Sequence, residues 1–586
     1  MSPRHYLRYL LFIAGMGGLL YGIDVGIIAG ALPYLEATAA SAWKLSAQQM
    51  SFIVAAVLLG SVLSSLFAGA LAEAVGRKWA MTLAGLCFVA SIPMIAMAEG
   101  YGPLLAGRLL QGVSGGLIGV VVPLYLAECL DAEHRGRGTG LFQLLLTLGL
   151  VAAALIGLSQ AREVEAVAAA GGNLAAAQDH AWRSIFWMCL LPGLVFTGGA
   201  LLLSESPRWL LQRGRSDAAR AALARSCPPQ RLEHEFGTMA QAVAVNKPAP
   251  AGAPAAAGSL LSRRYVLPFV LTCVILACNQ ATGINSILAY AVNILGQAGL
   301  PGSVGNVGDV AIKVLNAVMT VVAVLLVDRK GRKFLLMLGS GGIVLCLATA
   351  GLLFRGAESL QRDVTAQVSA RASGDQLQLP TDAAGFGALG AAPGAGPQQL
   401  VVAYAYGDFT NVQTRRSDLP TAPLALSRED AVQPDSVIGA FFRRLHLNPF
   451  PDPVAAAAAP LRIESARVGP LPSQAHGWAV AACILGFVAF FAVGPGVCVW
   501  LALSELMPTR IRSNGMSIAL LVNQFVSTVI AGIFLPTVGR HGYASMFFFW
   551  AGCTVVYFLT VALLLPETKG RTLEEIEAHF AREGSR

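Results

Sequence analysis

Charged residues are scarce in this sequence. Only 13% of its 586 residues are Asp, Glu, Lys or Arg, whereas 55% are hydrophobic. Soluble globular domains carry about 25% charged residues, so a soluble fold of this composition would have to expose much of its apolar surface to water. The composition therefore excludes an ordinary soluble protein. It predicts an all-α membrane protein whose solvent is the lipid bilayer.

Signatures of several other protein classes are missing as well. The sequence has no GxxxxGK[ST] phosphate loop, which excludes an ATP-driven pump within this chain. Its ten cysteines lie in or beside apolar segments or in the central polar segment, so no disulfide framework is implied. No cluster of metal ligands and no nucleophile constellation stands out, and we expect neither an enzyme nor a bound metal or cofactor. The first apolar stretch is full length and lacks a small-residue cleavage site, which predicts helix 1 rather than a signal peptide.

Long apolar runs dominate what remains. About twelve segments of roughly 20 apolar residues recur, each long enough to cross a hydrocarbon layer about 30 Å thick. The polar gaps that separate these segments are alternately almost uncharged and basic. The basic gaps contain Arg77, Lys78, Arg332 and Lys333. The positive-inside rule places the basic gaps and both termini in the cytoplasm, so the net charge of +8 reflects topology and not a nucleic-acid partner. We expect a multi-pass protein of the plasma membrane, or of the inner membrane in a Gram-negative bacterium.

One charged phrase occurs twice, at equivalent points of two hydrophobic halves. Glu73, Gly76, Arg77 and Lys78 return with the same spacing as Asp328, Gly331, Arg332 and Lys333, and Glu128 with Arg135 returns as Glu505 with Arg512. Such a repeat is typical of a membrane carrier whose two similar bundles rock about a central site. We expect these charges to pair across the bundles in one conformation only; plain topogenic charge, the alternative, does not explain the matched acids. The predicted gating charges are Glu73, Arg77, Glu128, Arg135, Glu205, Arg208, Asp328, Arg332, Glu505 and Arg512.

The second half carries one long insertion. The offset between repeated phrases rises from 255 to 377 residues, which places a net 122 extra residues at about 355–476. By helix count this segment faces outward, and either a partly disordered loop or a small folded cap fits its composition. The predicted organisation is a six-helix bundle at 1–204, a linker with short cytoplasmic helices at 205–264, a second six-helix bundle at 265–565 and a cytoplasmic tail at 566–586.

With these motifs the sequence resembles the sugar porter family of the major facilitator superfamily, which includes facilitative glucose transporters and bacterial sugar/proton symporters. The resemblance spans nearly the whole chain. It implies twelve transmembrane helices in two six-helix bundles and transport by alternating access, and we expect the protein to act as a monomer. Besides the repeated phrases, the residues that carry it are Gly107, Arg108, Gly112, Pro123, Tyr125, Gly136, Glu205, Ser206, Pro207, Arg208, Trp209, Gln280, Gly283, Ile284, Asn285, Gly494, Pro495, Gly496, Trp500, Pro566, Glu567, Thr568, Lys569 and Gly570.

Amide side chains cluster in the seventh apolar segment. Asn279, Gln280 and Asn285 surround Gly283, where the glycine weakens the helix and allows it to bend near the midplane. A neutral monosaccharide presents hydroxyl groups that donate and accept hydrogen bonds, and amides do both. Interhelical hydrogen bonding is the alternative role for each amide. The resemblance implies sugar contacts at Gln143, Gln280, Asn285, Asn316 and Trp500, with Asn523 close by.

Asp24 is an acid within the apolar run of helix 1, where it is costly unless it is paired or has a function. Arg108 on helix 4 is its expected partner. The resemblance implies proton coupling, because proton symporters of the family tend to carry an aspartate at this position and facilitators a neutral residue. A static pair that only joins helices 1 and 4 is the alternative.

The predicted function is secondary active transport of a hexose or pentose, as proton-coupled symport. A proton-independent uniporter of a sugar or polyol is the main alternative, and a membrane sugar sensor is disfavoured by the segment of only 21 residues after Leu565. Gln524 beside Asn523, and Ala289 beside Tyr290, make the pocket less aromatic than is common in the family. The long loop together with Lys313 looks like one subgroup of glucose transporters. An ion pair with Asp309, with the ammonium directed toward water, is the alternative role for that lysine.

Overall fold

Eleven helices are long and apolar enough to cross a membrane within the part of the chain that the computed structural model describes. That part comprises residues 3–130, 132–227, 229–245, 263–300, 302–390, 396–417, 423–432, 453–507, 512–568 and 580. The last of these apolar stretches, Ile518–Leu564, is 47 residues long, and its backbone is non-helical at Gly542 (φ 81°, ψ 166°). This break divides it into two crossings, so the predicted twelve-helix fold is confirmed.

The first half makes six crossings. Its helices are α1 (Pro3–Thr38), α2 (Ala47–Val75), α3 (Arg77–Ala96), α4 (Tyr101–Cys129), α5 (Ala132–Ala169), α6 (Leu174–Trp187) and α7 (Leu190–Leu202), and the last two form one crossing. A capping box begins α2: Oγ of Ser46 accepts from the N–H of Gln49 at 3.2 Å, and Gln49 Oε1 accepts from the N–H of Ser46 at 3.0 Å.

A linker of short helices connects the halves. It contains α8 (Pro207–Gln212), α9 (Ser216–Ala224) and α10 (Pro229–Val245). The second half then begins with α11 (Arg263–Ala281), α12 (Ile284–Ala289) and α13 (Ala291–Gln297), which together form the seventh crossing, and continues with α14 (Ser303–Lys330) and α15 (Arg332–Glu358).

The described residues of the inserted segment, 359–390, 396–417, 423–432 and 453–473, form a small folded unit that we term the insert. Its strands are β1 (Arg362–Asp363), β2 (Leu377–Leu379), β3 (Gln398–Tyr406), β4 (Phe409–Arg416), β5 (Leu424–Leu426) and β6 (Leu461–Pro470), with short helices α16 (Thr365–Ser369), α17 (Ala383–Ala388) and α18 (Pro453–Ala458). An antiparallel sheet has the order β1-β6-β3-β4, and β2 pairs with β5. Gly407 (φ 60°) makes the tight turn between β3 and β4. Apolar residues of the sheet and helices, among them Val368, Phe386, Leu400 and Tyr404, form a core of their own.

Three more helices complete the second half. These are α19 (Gln474–Val493), α20 (Pro495–Leu506) and α21 (Arg512–Leu564), which contains the eleventh and twelfth crossings. The halves meet where α2 packs on α21, α5 packs on α14, and α1 packs on α12 and α13. The insert lies at one end of the helices, the insert side; the N-terminus and the linker lie at the other end, the termini side.

The two repeated glycines end helices in the same way in both halves. Gly76 (φ 98°) separates α2 from α3, and Gly331 (φ 89°) separates α14 from α15. A carboxylate lies against each glycine: Glu205 accepts from the N–H groups of Arg77 and Lys78 at 2.8 and 3.1 Å, and Glu567 does the same for Arg332 and Lys333 at 3.1 and 3.2 Å. The positive φ and the close carboxylate leave no room for a Cβ. The sequence repeat is therefore also a repeat of helix termini.

Candidate functional site

The seventh crossing is broken at its centre. Gly283 has φ 83° and lies between α11 and α12, and its Cα packs directly on the indole of Trp550. Thr282 caps the broken end of α11 by donating its hydroxyl to the carbonyl of Asn279 at 2.7 Å. Because the helix is interrupted here, side chains on either side of the break can turn toward each other. Nδ2 of Asn285 accordingly lies 2.9 Å from Oε1 of Gln280.

Three of the predicted amides form one hydrogen-bonded group. Gln280 donates to Oδ1 of Asn523 at 3.2 Å, and Asn523 donates to the carbonyl of Leu276 at 3.0 Å. Asn285 also donates to the hydroxyl of Ser527 at 2.8 Å. These residues form the amide cluster: Gln280, Asn285, Asn523 and Ser527. It joins the seventh and eleventh crossings beside the interface between the halves. Ser527 is a member that the sequence analysis missed, although it lies one turn after Asn523 on the same helix face.

The other predicted contact residues lie outside this cluster. Asn279 is buried, and its Oδ1 has no hydrogen-bond partner. Gln143 on α5 and Asn316 on α14 are half-buried, on the helices that join the halves. The side chain of Trp500 lies outside the described residues. Sugar contacts at these four positions stay predictions.

A column of stacked aromatic rings stands next to the amide cluster. The ring of Tyr290 stacks on that of Phe534 with centroids 4.3 Å apart, and Phe534 stacks on Trp550 at 5.7 Å with an interplanar angle of 2°. All three side chains are buried. The sequence analysis expected a pocket poor in aromatic rings from positions 289, 290 and 524; Phe534 and Trp550 come from α21 and carry no motif of their own.

Asp24 is buried on α1 against α4 and forms no direct ion pair. Its carboxylate is 2% exposed, Oδ1 has no hydrogen-bond partner, and a Cβ on Gly115 of α4 would lie 2.7 Å from Oδ2. Among the described residues, no nitrogen of Arg108 lies within 4.0 Å of this carboxylate. Arg108 instead donates to Oε1 of Gln111 at 2.7 Å. The expected direct pair is therefore not formed in this conformation, because Arg108 has another partner on its own helix.

Lys313 forms the expected ion pair but is not directed toward water. Its ammonium lies 2.7 Å from Oδ2 of Asp309, and the two side chains are 0% and 1% exposed. The same ammonium donates to the carbonyl of Gly26 at 3.2 Å. It therefore bridges α14 of the second half to α1 of the first, two residues from Asp24. The sequence analysis directed this ammonium toward water as one alternative, whereas the packing of α5 on α14 buries it.

The repeated charges pair within the first half in this conformation. Arg77 contacts Glu73 at 2.7 Å and Glu128 at 2.9 Å, and Ser206 donates its hydroxyl to Glu128. Burial raises the pKa of the Glu205 carboxyl, and the N–H groups of Ser206, Lys78 and Arg77 oppose that rise. In this conformation, Arg77 therefore does not form the expected ion pair across the bundles. Arg208 lies on α8 with its Nε unpartnered, and Arg332 begins α15. The side chains of Arg135, Asp328, Glu505 and Arg512 lie outside the described residues.

Hydrogen bonds between the halves close the insert side. Asn293 donates to the carboxylate of Glu36 at 2.9 Å, and the N–H of Leu535 donates to the hydroxyl of Ser51 at 3.3 Å. Glu165 at the end of α5 accepts from the N–H of Ser303 at 2.7 Å. Glu36 was missed by the sequence analysis, because it follows the apolar run of helix 1 without any recognisable motif. The cross-half bonds named here all lie between the amide cluster and the insert side.

Two six-crossing halves around a buried polar site, closed at one end, define a membrane carrier of the major facilitator fold. Comparison with known proteins agrees: the family model described as "Sugar (and other) transporter" matches residues 10–369 and 455–580. The chain belongs to this sugar transporter family, within the sugar porters of the major facilitator superfamily. It is accordingly a multi-pass membrane transporter of sugars and not an enzyme.

Individual relatives cover almost the whole chain. The glucose transporter GlcP of Staphylococcus epidermidis is 24% identical over 97% of this chain and 96% of its own length. The human proton myo-inositol cotransporter is 26% identical over 98% of this chain and 82% of its own length. Among solved structures, the xylose transporter XylE from E. coli in a partially occluded inward-open conformation matches with a TM-score of 0.66 at 18% identity, covering 97% of this chain and 100% of that one. This last match shows the fold.

Proposed function

We propose that the protein carries a neutral monosaccharide, a hexose or pentose, together with a proton by alternating access. The observation that carries this proposal is the amide cluster at the broken seventh crossing. Each sugar hydroxyl both donates and accepts, so it can replace any of the amide–amide bonds in the cluster without leaving a donor or acceptor unsatisfied. The cluster contains no charged group, which favours a neutral solute. Glucose and myo-inositol are named in the descriptions of two relatives.

Proton coupling is proposed for Asp24, with Arg108 as the group that controls it. A buried carboxylate without a directly bonded counter-ion is costly in a membrane protein, so the carboxyl would hold a proton while Arg108 stays bonded to Gln111. A change in the packing of α1 against α4 within the first half, coupled to the rocking of the two halves, would bring the guanidinium closer and release the proton. A proton that crosses about 100 mV supplies roughly 2.3 kcal/mol, which supports accumulation of the sugar on the order of 50-fold.

A proton-independent uniporter for a sugar or polyol is the second candidate. It is favoured by one observation: Arg108 donates to Gln111 at 2.7 Å, so it does not require Asp24 as a partner. In that case Asp24 would only need to stay neutral and buried against Gly115.

We further propose the orientation that the charges favour. Arg77 and Lys78, with Arg332 and Lys333, begin helices at the termini side. Basic loops are retained in the cytoplasm, so the termini side would be cytoplasmic and the insert would face outward from the plasma membrane, or from the inner membrane of a Gram-negative cell. The first bundle (1–204), linker (205–264), second bundle (265–565) and tail (566–586) would then be the functional divisions.

Uptake into proteoliposomes with an imposed pH gradient tests the coupling. D-glucose, D-xylose and myo-inositol are compared for the parent, Asp24→Asn, and Asp217→Asn as a control on an exposed turn of the linker. We expect Asp24→Asn to lose uphill accumulation but to keep sugar exchange at equal concentrations, and the control to match the parent. Unchanged accumulation in Asp24→Asn would exclude its role in coupling, and parent uptake that ignores the pH gradient would favour the uniporter.

A further inference from the structure

A second polar cavity lies under the insert, apart from the amide cluster. Its volume is about 410 Å³, within the roughly 300–1,000 Å³ that is usual for small-molecule sites. The sheet of the insert forms its roof through Gln399 of β3, Gln413 and Arg415 of β4, and Arg467 of β6. Its floor includes Glu36 of the first half and Asn293 of the second. The cavity therefore lies directly on the contact that closes the insert side.

The roof is attached to both halves. Lys44, which precedes α2, forms an ion pair with Glu429 of the insert at 3.1 Å, and Arg540 of α21 forms one with Glu464 of β6 at 3.0 Å. The side chain of Val412 on β4 packs against Gly539 of the same long helix. The sheet is thus held over the junction of the halves, and the space beneath it is bounded by protein from both.

The residues that line the cavity indicate which kind of molecule it would bind. Three acids and three bases line it, so it has no net charge and favours neither an anion nor a cation; they are Glu36, Glu358, Asp430, Lys44, Arg415 and Arg467. The amides of Gln399, Gln413 and Asn293 add groups that both donate and accept. Rings of Phe354 and Tyr543, stacked with centroids 5.3 Å apart, provide an apolar face.

One atom in the floor lacks a hydrogen-bond partner. Oδ1 of Asn293 is buried and accepts no hydrogen bond, while Nδ2 of the same side chain donates to Glu36. A buried acceptor without a donor costs about 1–3 kcal/mol. A small shift of this side chain would open the atom to the cavity, where a hydroxyl group would satisfy it. The same amide would then contact both the solute and the bond that closes the insert side.

From this geometry we propose that the cavity under the insert is a second binding chamber for a neutral polyhydroxylated solute. The chamber holds the solute against the closed junction before the halves separate, and it feeds the amide cluster. The class of solute in this inference rests on the proposed function. The existence of a second site does not depend on it. Its specific residues are Gln399 and Gln413 in the roof and Asn293 in the floor.

Kinetics of the full-length protein in proteoliposomes provide the first test. Gln413→Ala and, independently, Gln399→Ala remove roof amides without touching the amide cluster. We expect KM for D-glucose, D-xylose or myo-inositol, whichever the parent transports, to rise about five- to tenfold while kcat stays within twofold, as for the loss of about one hydrogen bond. Gln378→Ala, on the exposed face of β2, should leave both constants at the parent values. An unchanged KM in both roof variants would overturn the proposal.

Saturation-transfer NMR separates this chamber from the amide cluster. In Asn285→Ala, which removes a member of the cluster, the solute that the parent transports should still give a saturable signal. Adding Gln413→Ala should reduce that signal at least by half. An identical signal in the double variant, or none in the single one, would contradict a second chamber. Failure of the proposed function would show differently, as absent sugar uptake by the parent, whatever the roof variants do.

Discussion

At the residue scale, Asn285 connects the two sides of the helix break within the amide cluster. This side chain makes two hydrogen bonds, to Gln280 at 2.9 Å and to Ser527 at 2.8 Å, from the far side of the helix break. A buried donor or acceptor that loses its partner costs about 1–3 kcal/mol, and each 1.4 kcal/mol is roughly tenfold in affinity. We therefore expect Asn285→Ala to raise KM for sugar uptake by about 5- to 150-fold.

The matched control for Asn285→Ala is Asn173→Ala. Asn173 caps α6 in an exposed position, where its Oδ1 accepts from the N–H of Ala176 at 3.1 Å. Loss of this cap costs about 1 kcal/mol of stability and should leave KM unchanged. A parent-like KM in Asn285→Ala would remove the cluster from substrate recognition.

Gly283 is required by conformation and by packing together. Its φ of 83° costs a residue with a side chain about 1–2 kcal/mol, and a Cβ would overlap the Trp550 indole, which adds about 1–3 kcal/mol of overpacking. We expect Gly283→Ala to lower the melting temperature clearly in detergent. Gly198→Ala, in a helix with open space at its Cα, should leave it equal or higher. Equal melting temperatures for both variants would count against a strained hinge.

Parts of the site could be predicted from the sequence because amide side chains stand out within long apolar segments. Gln280 and Asn285 were identified in this way, and Asn523 through the family resemblance. Ser527 was not, since serine in a membrane helix ordinarily satisfies its hydroxyl on its own helix and gives no signal. The direct Asp24–Arg108 contact was wrong for this conformation, because nothing in the sequence says that Gln111 competes for the guanidinium.

At the scale of elements, the buried ion pair on α14 fixes this helix to α1. Lys313 contacts both Asp309 and the carbonyl of Gly26. Removing one partner of a buried pair leaves an uncompensated charge, at about 3–5 kcal/mol, whereas removing both is often neutral. We expect Lys313→Met to unfold at a clearly lower temperature than the parent, and Asp309→Asn/Lys313→Met to recover most of the loss. If Lys313→Met were as stable as the parent, burial of the unpaired Asp309 carboxylate would carry no cost, and the expectation would be wrong.

The stability of the folded protein should depend on pH through Glu205, whose carboxylate lies at the helix terminus beside Gly76. Burial raises the pKa of Glu205 above its ordinary value of 4.5, so the folded protein holds this proton to higher pH than the unfolded chain does. Stability therefore falls as the pH rises from about 4.5 through the folded-state pKa, and the loss is complete above it. Glu205→Gln should lack this component when melting temperatures are compared between about pH 4 and about pH 7, a range that begins near the ordinary pKa of a glutamate. Glu233→Gln, exposed in the linker, should keep the slope of the parent; a parent-like slope in Glu205→Gln would refute the assignment.

Helices were the elements that the sequence predicted best, because each crossing needs a long apolar run. The strand pairing of the insert, in contrast, could not be predicted from the sequence. Its strand β3 is rich in β-forming residues, but the sheet order β1-β6-β3-β4 pairs Arg362 of β1 with Val468 of β6, far along the chain. Register over such separations is set by tertiary packing on the core around Leu400 and Tyr404, and local patterns do not encode it.

At the scale of the whole molecule, the insert is covalently part of the second half yet contacts the first. Lys44, between the first and second crossings, reaches Glu429 of the insert. Alternating access needs the halves to separate on the insert side before solute can enter, so this contact has to break in every cycle. As an exposed pair it contributes only about 0–1 kcal/mol, which is weak enough to open readily. A covalent bridge at the same place should hold the closed state.

Crosslinking tests whether separation of the insert from the first half is obligatory. We expect Lys44→Cys/Glu429→Cys, bridged with a short bis-methanethiosulfonate, to lose nearly all sugar uptake in proteoliposomes and to regain it on reduction with dithiothreitol. The matched control is Arg220→Cys/Glu233→Cys, which replaces an ion pair of 2.8 Å within the linker and should transport normally when bridged. The parent with its free native cysteines is treated with the same reagent to correct for their modification. If the bridged Lys44→Cys/Glu429→Cys protein transports at the parent rate, the insert moves with both halves together, and the chamber beneath it must fill by a route that does not require the roof to lift.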